Sequence, residues 1–312
     1  MPTGVIGTGH LGFHHTRILG EITGKPVPIY DASIDRMKEL ESKLNAVPCG
    51  SLDELLDICD SAVVAATTSA HHGIVMKALE NDLDVLVEKP IAATLDEAEE
   101  MVRLAAGKEL VLAVGHVERF NPAILAAAEL IDSPLFVEGH RMAPFNPRGT
   151  DVSVVLDLMI HDIDLVLSFV RSGVESVQAS GVPVLSGNVD IASARIKFDN
   201  SCVVNMTASR ISREQIRKLR FFQPRKYVSV DFAKRSVDAY RLSGQNIEPV
   251  SVKVGDGDAL TLELEDFLSA CLRRTEPTVP GREGLMALRS ARIISEKIME
   301  AYREIERNLR PE

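Results

Sequence analysis

The stretch GVIGTGHLG, residues 4–12, decides the fold of this 312-residue chain. It carries the pattern G-x-G-x-x-G at Gly7, Gly9 and Gly12, after a short apolar run and before a helical pattern. The first glycine permits a tight turn, the second lets a phosphate approach the backbone, and the third lets helix and strand pack closely. The N–H groups that open the helix then face the phosphates with partial positive charge. The stretch predicts a dinucleotide-binding loop.

Two further features belong to this loop. His10 and Leu11 fill its variable positions, and Asp31 ends the next predicted strand, about 20 residues beyond the last glycine. A carboxylate at that place accepts hydrogen bonds from ribose hydroxyls and repels a 2′-phosphate, which favours NAD over NADP. The alternative is a glycine-rich turn in some other α/β protein.

The hydrophobic pattern divides the chain into two parts. Up to about residue 115, continuous apolar runs alternate with helical segments, which is typical of a parallel sheet covered on both faces. From about 175 to 254 the segments are short and alternate apolar with polar residues, as in an antiparallel sheet with one wet face. We therefore expect an α/β chain in which a doubly wound Rossmann domain (1–118) precedes an α+β domain (119–312) with an open, mostly antiparallel sheet. The last helix is expected to pack back on the first domain.

The outer face of the second sheet predicts self-association. Its candidate apolar residues are Val177, Phe221, Val228 and Val230, and an open sheet would leave such residues wet. A homodimer or homotetramer is expected.

Composition excludes several other classes of function. The net charge is −10, tryptophan is absent, and no cluster of Lys and Arg forms a basic run, so nucleic-acid binding is not expected. No stretch approaches the roughly 20 apolar residues that cross a bilayer, and the N-terminus lacks a signal-peptide pattern. The four cysteines match no metal-ligand spacing, so no metal is expected and a reducing cytoplasm fits best.

Two polar clusters interrupt apolar segments. The strand Val85-Leu86-Val87 ends abruptly in Glu88-Lys89-Pro90. These three residues are either an ordinary charged loop or part of a functional site. In the helical segment 153–170, which is apolar in nearly every direction, four polar residues fall on one face at spacings of four, three and four: Asp157, His161, Asp164 and Ser168. An active-site base with its orienting acid would explain this stripe, as would a satisfied buried network or a solvent-facing stripe.

In their order along the chain, the glycine loop, Glu88-Lys89-Pro90 and Asp157-x-x-x-His161 resemble the Gfo/Idh/MocA family of oxidoreductases. The resemblance covers essentially the whole length. It implies that Lys89 lies beside the nicotinamide, near the reacting hydroxyl, and that His161 is the general acid/base with Asp157 as its partner. It also implies a cis peptide bond between Lys89 and Pro90.

The resemblance extends to other cofactor contacts, with one departure. Family members often carry Thr-Pro after the fourth strand, where this chain has Thr67-Thr68. Thr67 and Glu88 are expected near the cofactor. One of the two histidines that follow Thr68, His71 or His72, is expected there as well. The two histidines could equally lie on the surface.

The segments GHVERFNPA (115–123) and VSVVLDLMIHDIDLVL resemble the branch that oxidises the 3-hydroxyl of UDP-N-acetylglucosamine, or of its uronate, for lipid A or surface-polysaccharide sugars. This implies that Arg119 and Asn121 face the substrate, although Asn121 is equally a helix N-cap and Arg119 a surface charge. Arg141 and Arg148 are candidate phosphate ligands, with surface salt bridges as the alternative. A myo-inositol or free-sugar dehydrogenase is the alternative enzyme, and a non-catalytic dinucleotide-binding protein is the alternative class.

Overall fold

The computed structural model describes residues 1–146 and 152–309, with side chains as far as Arg303. The chain forms two compact units. The first unit contains residues 1–117 and 258–286. The second unit contains residues 118–257 and the part of the last helix that begins at Ala287. The change of unit near residue 118 lies where the hydrophobic pattern changes. Residues 258–286 belong to the first unit, whereas the sequence pattern assigned them to the second domain.

The first unit is built on a six-stranded parallel sheet. Its strands are β1 (Thr3–Ile6), β2 (Val27–Tyr30), β3 (Ala46–Pro48), β4 (Ser61–Val64), β5 (Asp84–Glu88) and β6 (Leu112–Gly115). Their order is β3-β2-β1-β4-β5-β6, so the strand order reverses between β1 and β4. In such sheets the crevice beyond the carboxyl ends of the strands at this reversal is where ligands bind. The predicted Rossmann sheet is confirmed.

Nine α-helices are present in the described part of the chain. They are α1 (His10–Thr23), α2 (Ile34–Lys43), α3 (Leu52–Ile58), α4 (Thr68–Glu80), α5 (Leu95–Gly107), α6 (Pro122–Ala127), α7 (Ile160–Val170), α8 (Ala259–Arg273) and α9 (Gly281–Leu309). A π-helical segment, Val155–Met159, leads directly into α7. Across the described residues, no helix combines the length and the apolar character needed to cross a membrane.

The second unit contains an eight-stranded sheet. Its strands are β7 (Phe136–Met142), β8 (Val174–Val182), β9 (Ile191–Phe198), β10 (Val203–Ser209), β11 (Ile216–Gln223), β12 (Lys226–Asp231), β13 (Ser236–Ser243) and β14 (Asn246–Val250). Their order is β14-β13-β12-β11-β7-β10-β9-β8. Only the β7–β10 neighbours in this sheet, as far as it is described, run parallel, and the rest are antiparallel. The mostly antiparallel second sheet is confirmed.

The outer face of this sheet differs from the prediction. Phe221, Val228 and Val230 are fully buried in the core of the second unit, and Val177 packs against the same core. Their assignment to the outer face was wrong because successive residues of a strand point to opposite faces, so an error of one residue in phase reverses every side chain.

The outer face instead carries an aromatic row. Phe136, Phe222, Tyr227 and Tyr240 lie directly opposite one another on β7, β11, β12 and β13. Successive ring centroids are 5.6, 5.1 and 6.2 Å apart. Cross-strand aromatic pairs of this kind stabilise a sheet.

The second unit also buries a group of three charged side chains. Arg141 on β7 donates to Asp162 Oδ1 from Nη2 at 2.7 Å and to Glu118 Oε1 from Nη1 at 2.8 Å. All three side chains are nearly inaccessible to solvent, and the guanidinium lies 5.8 Å from the centre of the Phe232 ring. Burial alone would lower the pKa of Arg141, but the neighbouring carboxylates raise it, so the guanidinium stays charged.

We expect Arg141→Gln to lower the free energy of unfolding by about 3–5 kcal/mol, because it leaves two buried carboxylates without their cation. Urea unfolding followed by circular dichroism measures this loss. The matched control is Arg220→Gln, which breaks an equally short but half-exposed pair with Glu138 and should cost at most about 1 kcal/mol. Equal losses in the two variants would contradict the structural role of Arg141.

Candidate functional site

The glycine loop joins β1 to α1 in a conformation that only glycine allows at two positions. Gly7 has a φ of +94°, in the region that disfavours other residues. A Cβ atom on Gly12 would lie 1.8 Å from the carbonyl oxygen of Gly7, so the helix packs directly against the end of the strand. The N-cap residue of α1 is Gly9, which has no side chain that could accept hydrogen bonds from the first N–H groups of the helix. The loop therefore presents a helix N-terminus of the kind that binds phosphate.

The remaining loop residues are arranged around this N-terminus. His10 and Leu11 are solvent-exposed at the first turn of α1. Gly9, the N-cap residue, has an extended backbone.

Asp31 follows β2 and is bonded to the glycine loop. Its Oδ2 accepts hydrogen bonds from the backbone N–H of Thr8 at 2.7 Å and from the Thr8 hydroxyl at 3.0 Å. Its Oδ1 accepts from the N–H of Ser33 at 2.8 Å. Burial opposes ionisation of this carboxyl, but the hydrogen bonds outweigh burial and the pKa of Asp31 is lowered. An ionised carboxylate thus borders the phosphate loop, as the ribose of NAD requires.

The turn after β4 is held by a buried histidine. His71 Nδ1 lies 3.0 Å from the carbonyl oxygen of Pro90, and its Nε2 lies 3.1 Å from that of Ala66. Burial lowers the pKa of His71 despite these bonds. His71 is thus an internal brace between two loops, and the surface alternative is wrong for it. Thr67 is exposed at the start of α4, with no side-chain cap bond.

Strand β5 ends on the motif Glu88-Lys89-Pro90. The peptide bond between Lys89 and Pro90 is cis, which confirms that prediction. Glu88 is buried, with Oε1 2.7 Å from His15 Nε2, and Lys89 is half-buried. The motif lies at the carboxyl edge of the parallel sheet, where ligands of such folds bind.

In the second unit, the predicted polar stripe separates into two environments. Asp157 and His161 are half-buried, and the π-helical segment widens the turn just before His161. Such π-helical insertions occur frequently at functional sites. Asp164 is buried and pairs with Arg119 through two bonds, Nε to Oδ2 at 2.6 Å and Nη2 to Oδ1 at 3.0 Å. The stripe is therefore part candidate site and part satisfied buried network.

The predicted substrate contacts have other partners in the structure. Arg119 is paired with Asp164 and is mostly buried, so it is not a surface charge. Asn121 caps α6, accepting from the N–H of Ala123 at 3.1 Å and donating to Glu118 Oε2 at 3.2 Å, which confirms the N-cap alternative. Arg141 is engaged by buried carboxylates, so neither an open phosphate ligand nor a surface salt bridge describes it. Arg148 lies outside the described residues.

His15, Glu118 and Glu263 are buried polar residues that were not among the site residues predicted from the sequence. Two of them carried a signal. His15 precedes Ile18 and Leu19 by three and four positions, and these two residues form the buried face of α1. Glu263 falls on the face of α8 that carries Leu264 and Phe267. A charged or titratable residue on an apolar face is costly unless it is paired, so both positions indicated an internal network.

Family models match both parts of the chain. Residues 1–116 match the model described as "Oxidoreductase family, NAD-binding Rossmann fold". Residues 133–224 match the "GFO/IDH/MocA C-terminal domain".

Individual relatives cover more of the chain. UDP-N-acetylglucosamine 3-dehydrogenase of Acidithiobacillus ferrooxidans is 33% identical over 96% of this chain and 99% of its own length. A solved structure of that enzyme superposes with a TM-score of 0.90 over 96% of this chain and 97% of its own. The NAD⁺-dependent scyllo-inositol 2-dehydrogenase of Bacillus subtilis is 27% identical over 67% of each chain. The chain belongs to the GFO/IDH/MocA family of oxidoreductases, and residues 1–116 are that family's NAD-binding Rossmann domain.

Proposed function

We propose that this protein is an NAD-dependent dehydrogenase that oxidises the 3-hydroxyl of a UDP-N-acetyl-hexosamine, UDP-N-acetylglucosamine or its uronate, to a ketone. The observation that carries the proposal is the 33% identity to a UDP-N-acetylglucosamine 3-dehydrogenase along nearly the whole of both chains. The product would be a 3-keto sugar nucleotide, a substrate for an aminotransferase in lipid A or surface-polysaccharide synthesis. The four cysteines are all buried free thiols, which supports a reducing cytoplasm as its location.

The proposed chemistry assigns one task to each of three side chains. Bound NAD supplies the acceptor for the hydride that leaves the sugar carbon. His161 takes the hydroxyl proton, since a neutral imidazole is suited to this near neutral pH. Asp157 orients that ring and stabilises the imidazolium that forms. Lys89, as an ammonium, donates to the same oxygen and stabilises its developing negative charge.

The remaining predicted contacts have weaker structural support. Arg119 and Asn121 would contact substrate only through atoms not already bonded to Asp164, Glu118 and Ala123. No role is proposed for Arg141, because its charge is already neutralised inside the second unit.

A free polyol is the second candidate substrate, since a relative that covers 67% of the chain is a scyllo-inositol 2-dehydrogenase. NADH formation distinguishes the two when UDP-N-acetylglucosamine, its uronate, myo-inositol and glucose are supplied in parallel, with and without 2-oxoglutarate to recycle the cofactor. We expect turnover with a UDP-N-acetyl-hexosamine. Turnover with myo-inositol alone would identify a polyol dehydrogenase. NADH binding without turnover of any sugar would favour a non-catalytic protein.

We expect His161→Ala to lower single-turnover NADH formation by about 10²–10⁴, the usual effect of removing a general base. NADH affinity should not change, because His161 belongs to the second unit and the glycine loop to the first. The control His140→Ala removes another half-buried histidine of the second unit. A rate within about threefold of the parent across pH 6 to 9 would show that His161 is structural.

We expect NADH to bind more tightly than NADPH, because the ionised Asp31 repels a 2′-phosphate. Asp31→Asn keeps one acceptor oxygen for Thr8 but removes the charge and the acceptor for Ser33. It should therefore weaken NADH binding by about 1.5–3 kcal/mol and reduce the preference for NADH over NADPH. Fluorescence titration of both nucleotides measures this. The control Asp35→Asn removes an exposed charge at the start of α2. Tighter NADPH than NADH binding by the parent would contradict the assignment.

We also propose that the aromatic row on β7, β11, β12 and β13 is the contact between copies in a homodimer or homotetramer. Phe222 and Tyr240 are 37% and 42% exposed in one chain, and a second copy could cover the row with its own. Light scattering at micromolar concentration should give two or four times the 34.1 kDa of one chain. Phe222→Asp should reduce the measured mass to that of one chain. Leu272→Asp, at an exposed apolar position on α8, should leave the mass unchanged. A single-chain mass for the parent would overturn the proposal.

A further inference from the structure

Three titratable side chains meet inside the first unit, below the end of β5. They are His15 from α1, Glu88 from β5 and Glu263 from α8, and all three are buried. One nitrogen or oxygen atom from each of the three side chains lies within 4.8 Å of those from the other two. The proposed chemistry uses neither His15 nor Glu263.

Glu263 is the unusual member of this cluster. It is 2% exposed, and within the part of the chain that the structure describes neither carboxyl oxygen has a hydrogen-bond partner. An ionised carboxylate in that situation would lose its hydration without compensation, at a cost that proteins avoid by neutralising the group. Two carboxyl groups that share one buried site likewise cannot both ionise cheaply. A proton on one of the two carboxyl groups removes this cost.

The surroundings decide which carboxyl holds the proton. Burial raises the pKa of Glu263, and the negative charges of Glu88 and Asp266 raise it further. Burial would also raise the pKa of Glu88, but the hydrogen bond from His15 and the nearby charge of Lys89 outweigh it and lower that pKa. Glu263 is thus the acid and Glu88 the carboxylate.

A metal ion fits this geometry less well than a proton. Two ligands of one tetrahedral zinc ion lie roughly 3.3 Å apart, given bonds of about 2.0–2.1 Å. His15 Nε2 and Glu88 Oε1 are 2.7 Å apart, the distance of a charge-assisted hydrogen bond. These two atoms bond to each other and would have to separate before both could bind an ion.

Glu88 links the cluster to the backbone that carries Lys89. Its Oε2 lies 3.3 Å from the backbone nitrogen of Lys89, and a Cβ on Gly115 would lie 2.8 Å from the same oxygen. The glycine that ends β6 thus leaves room for this carboxylate. On the other side of Lys89, His71 contacts the carbonyl of Pro90 at 3.0 Å. Lys89 lies between two residues that buried imidazoles hold in place.

We propose that His15 and Glu263 are positioning residues. With Glu88 they form a buried cluster, in which Glu263 is the protonated acid that adds no second negative charge beside the His15–Glu88 pair, and the cluster fixes the backbone that presents Lys89 to the substrate. The assignment of the cluster rests on the geometry of the first unit. Its consequence for catalysis rests on the proposed role of Lys89.

Infrared spectroscopy tests the proton. The parent protein at neutral pH should show the C=O stretch of a buried protonated carboxyl, and Glu263→Gln should lack it. The matched control is Glu265→Gln, an exposed glutamate on the same helix, which should retain the band. A parent spectrum without the band, or an unchanged band in Glu263→Gln, would overturn the proposal. So would a stoichiometric divalent metal in the purified parent that Glu263→Gln loses, because the cluster would then be a metal site.

A second readout follows Lys89 itself and needs no substrate. Lysines methylated with ¹³C give separate NMR signals, and the signal missing in Lys89→Arg belongs to Lys89. Glu263→Ala should shift this signal, whereas Glu263→Gln, a neutral isostere of the acid, should leave it close to the parent position. An unshifted signal in Glu263→Ala would refute the positioning role even if the protein proves to act on no sugar.

With an active substrate, the kinetic readout completes the test. Glu263→Ala and His15→Ala should lower kcat by about tenfold to a hundredfold through misplacement of Lys89, with little change in KM. Glu263→Gln should recover most of that loss. An unaltered kcat in Glu263→Ala would overturn the positioning role and leave the proposed dehydrogenase activity intact. Absence of activity in the parent would instead count against the proposed function. The infrared and NMR measurements would still test the proton on Glu263 and the positioning of Lys89.

Discussion

The close approach of Gly12 to the carbonyl of Gly7 is the constraint on which the first unit depends. Because no Cβ fits between them, helix α1 begins directly at the end of β1. This places the first N–H groups of the helix at the carboxyl edge of the sheet, next to Asp31 at the end of β2. One turn further along, it places His15 against Glu88 at the end of β5. One backbone contact thus determines both the candidate phosphate site and the support of the Glu88-Lys89-Pro90 motif.

The second unit solves a different problem, the burial of charge. Asp162 and Asp164 occupy the same helix as the candidate base, yet each is paired with an arginine, Arg141 or Arg119. These pairs neutralise two acids that lie only one and three positions after His161 in the sequence. Asp157, four positions before His161, is half-buried. The helix therefore separates structural acids from the one proposed to orient the base.

Much of the fold and part of the candidate site could be predicted from the sequence. The glycine pattern, the buried strand ending in Glu88-Lys89-Pro90 and the helix with His161 are local signals. The parallel sheet follows from the alternation of apolar runs with helical segments up to about residue 115. For the strands of the second sheet, the sequence did not show which side chains face the core. Phe221 and Phe222 are adjacent in sequence, and only tertiary packing decides which of the two is buried. The ion-pair partners of Arg119 and Arg141 could not be predicted from the sequence for a related reason. Their carboxylates lie 45 and 21 positions away, and no local pattern links them.

The return of residues 258–286 to the first unit has a consequence for the order of synthesis. Leu264, Phe267 and Ala270 of α8 complete the hydrophobic core that Ile18 and Leu19 of α1 begin. A ribosome that has made only the first 257 residues has released a Rossmann sheet with one helix layer unfinished and apolar surface uncovered. Vectorial folding, in which each domain closes before the next emerges, is therefore not open to this chain. The nascent first unit must wait for the whole second sheet to be translated before its own core can close.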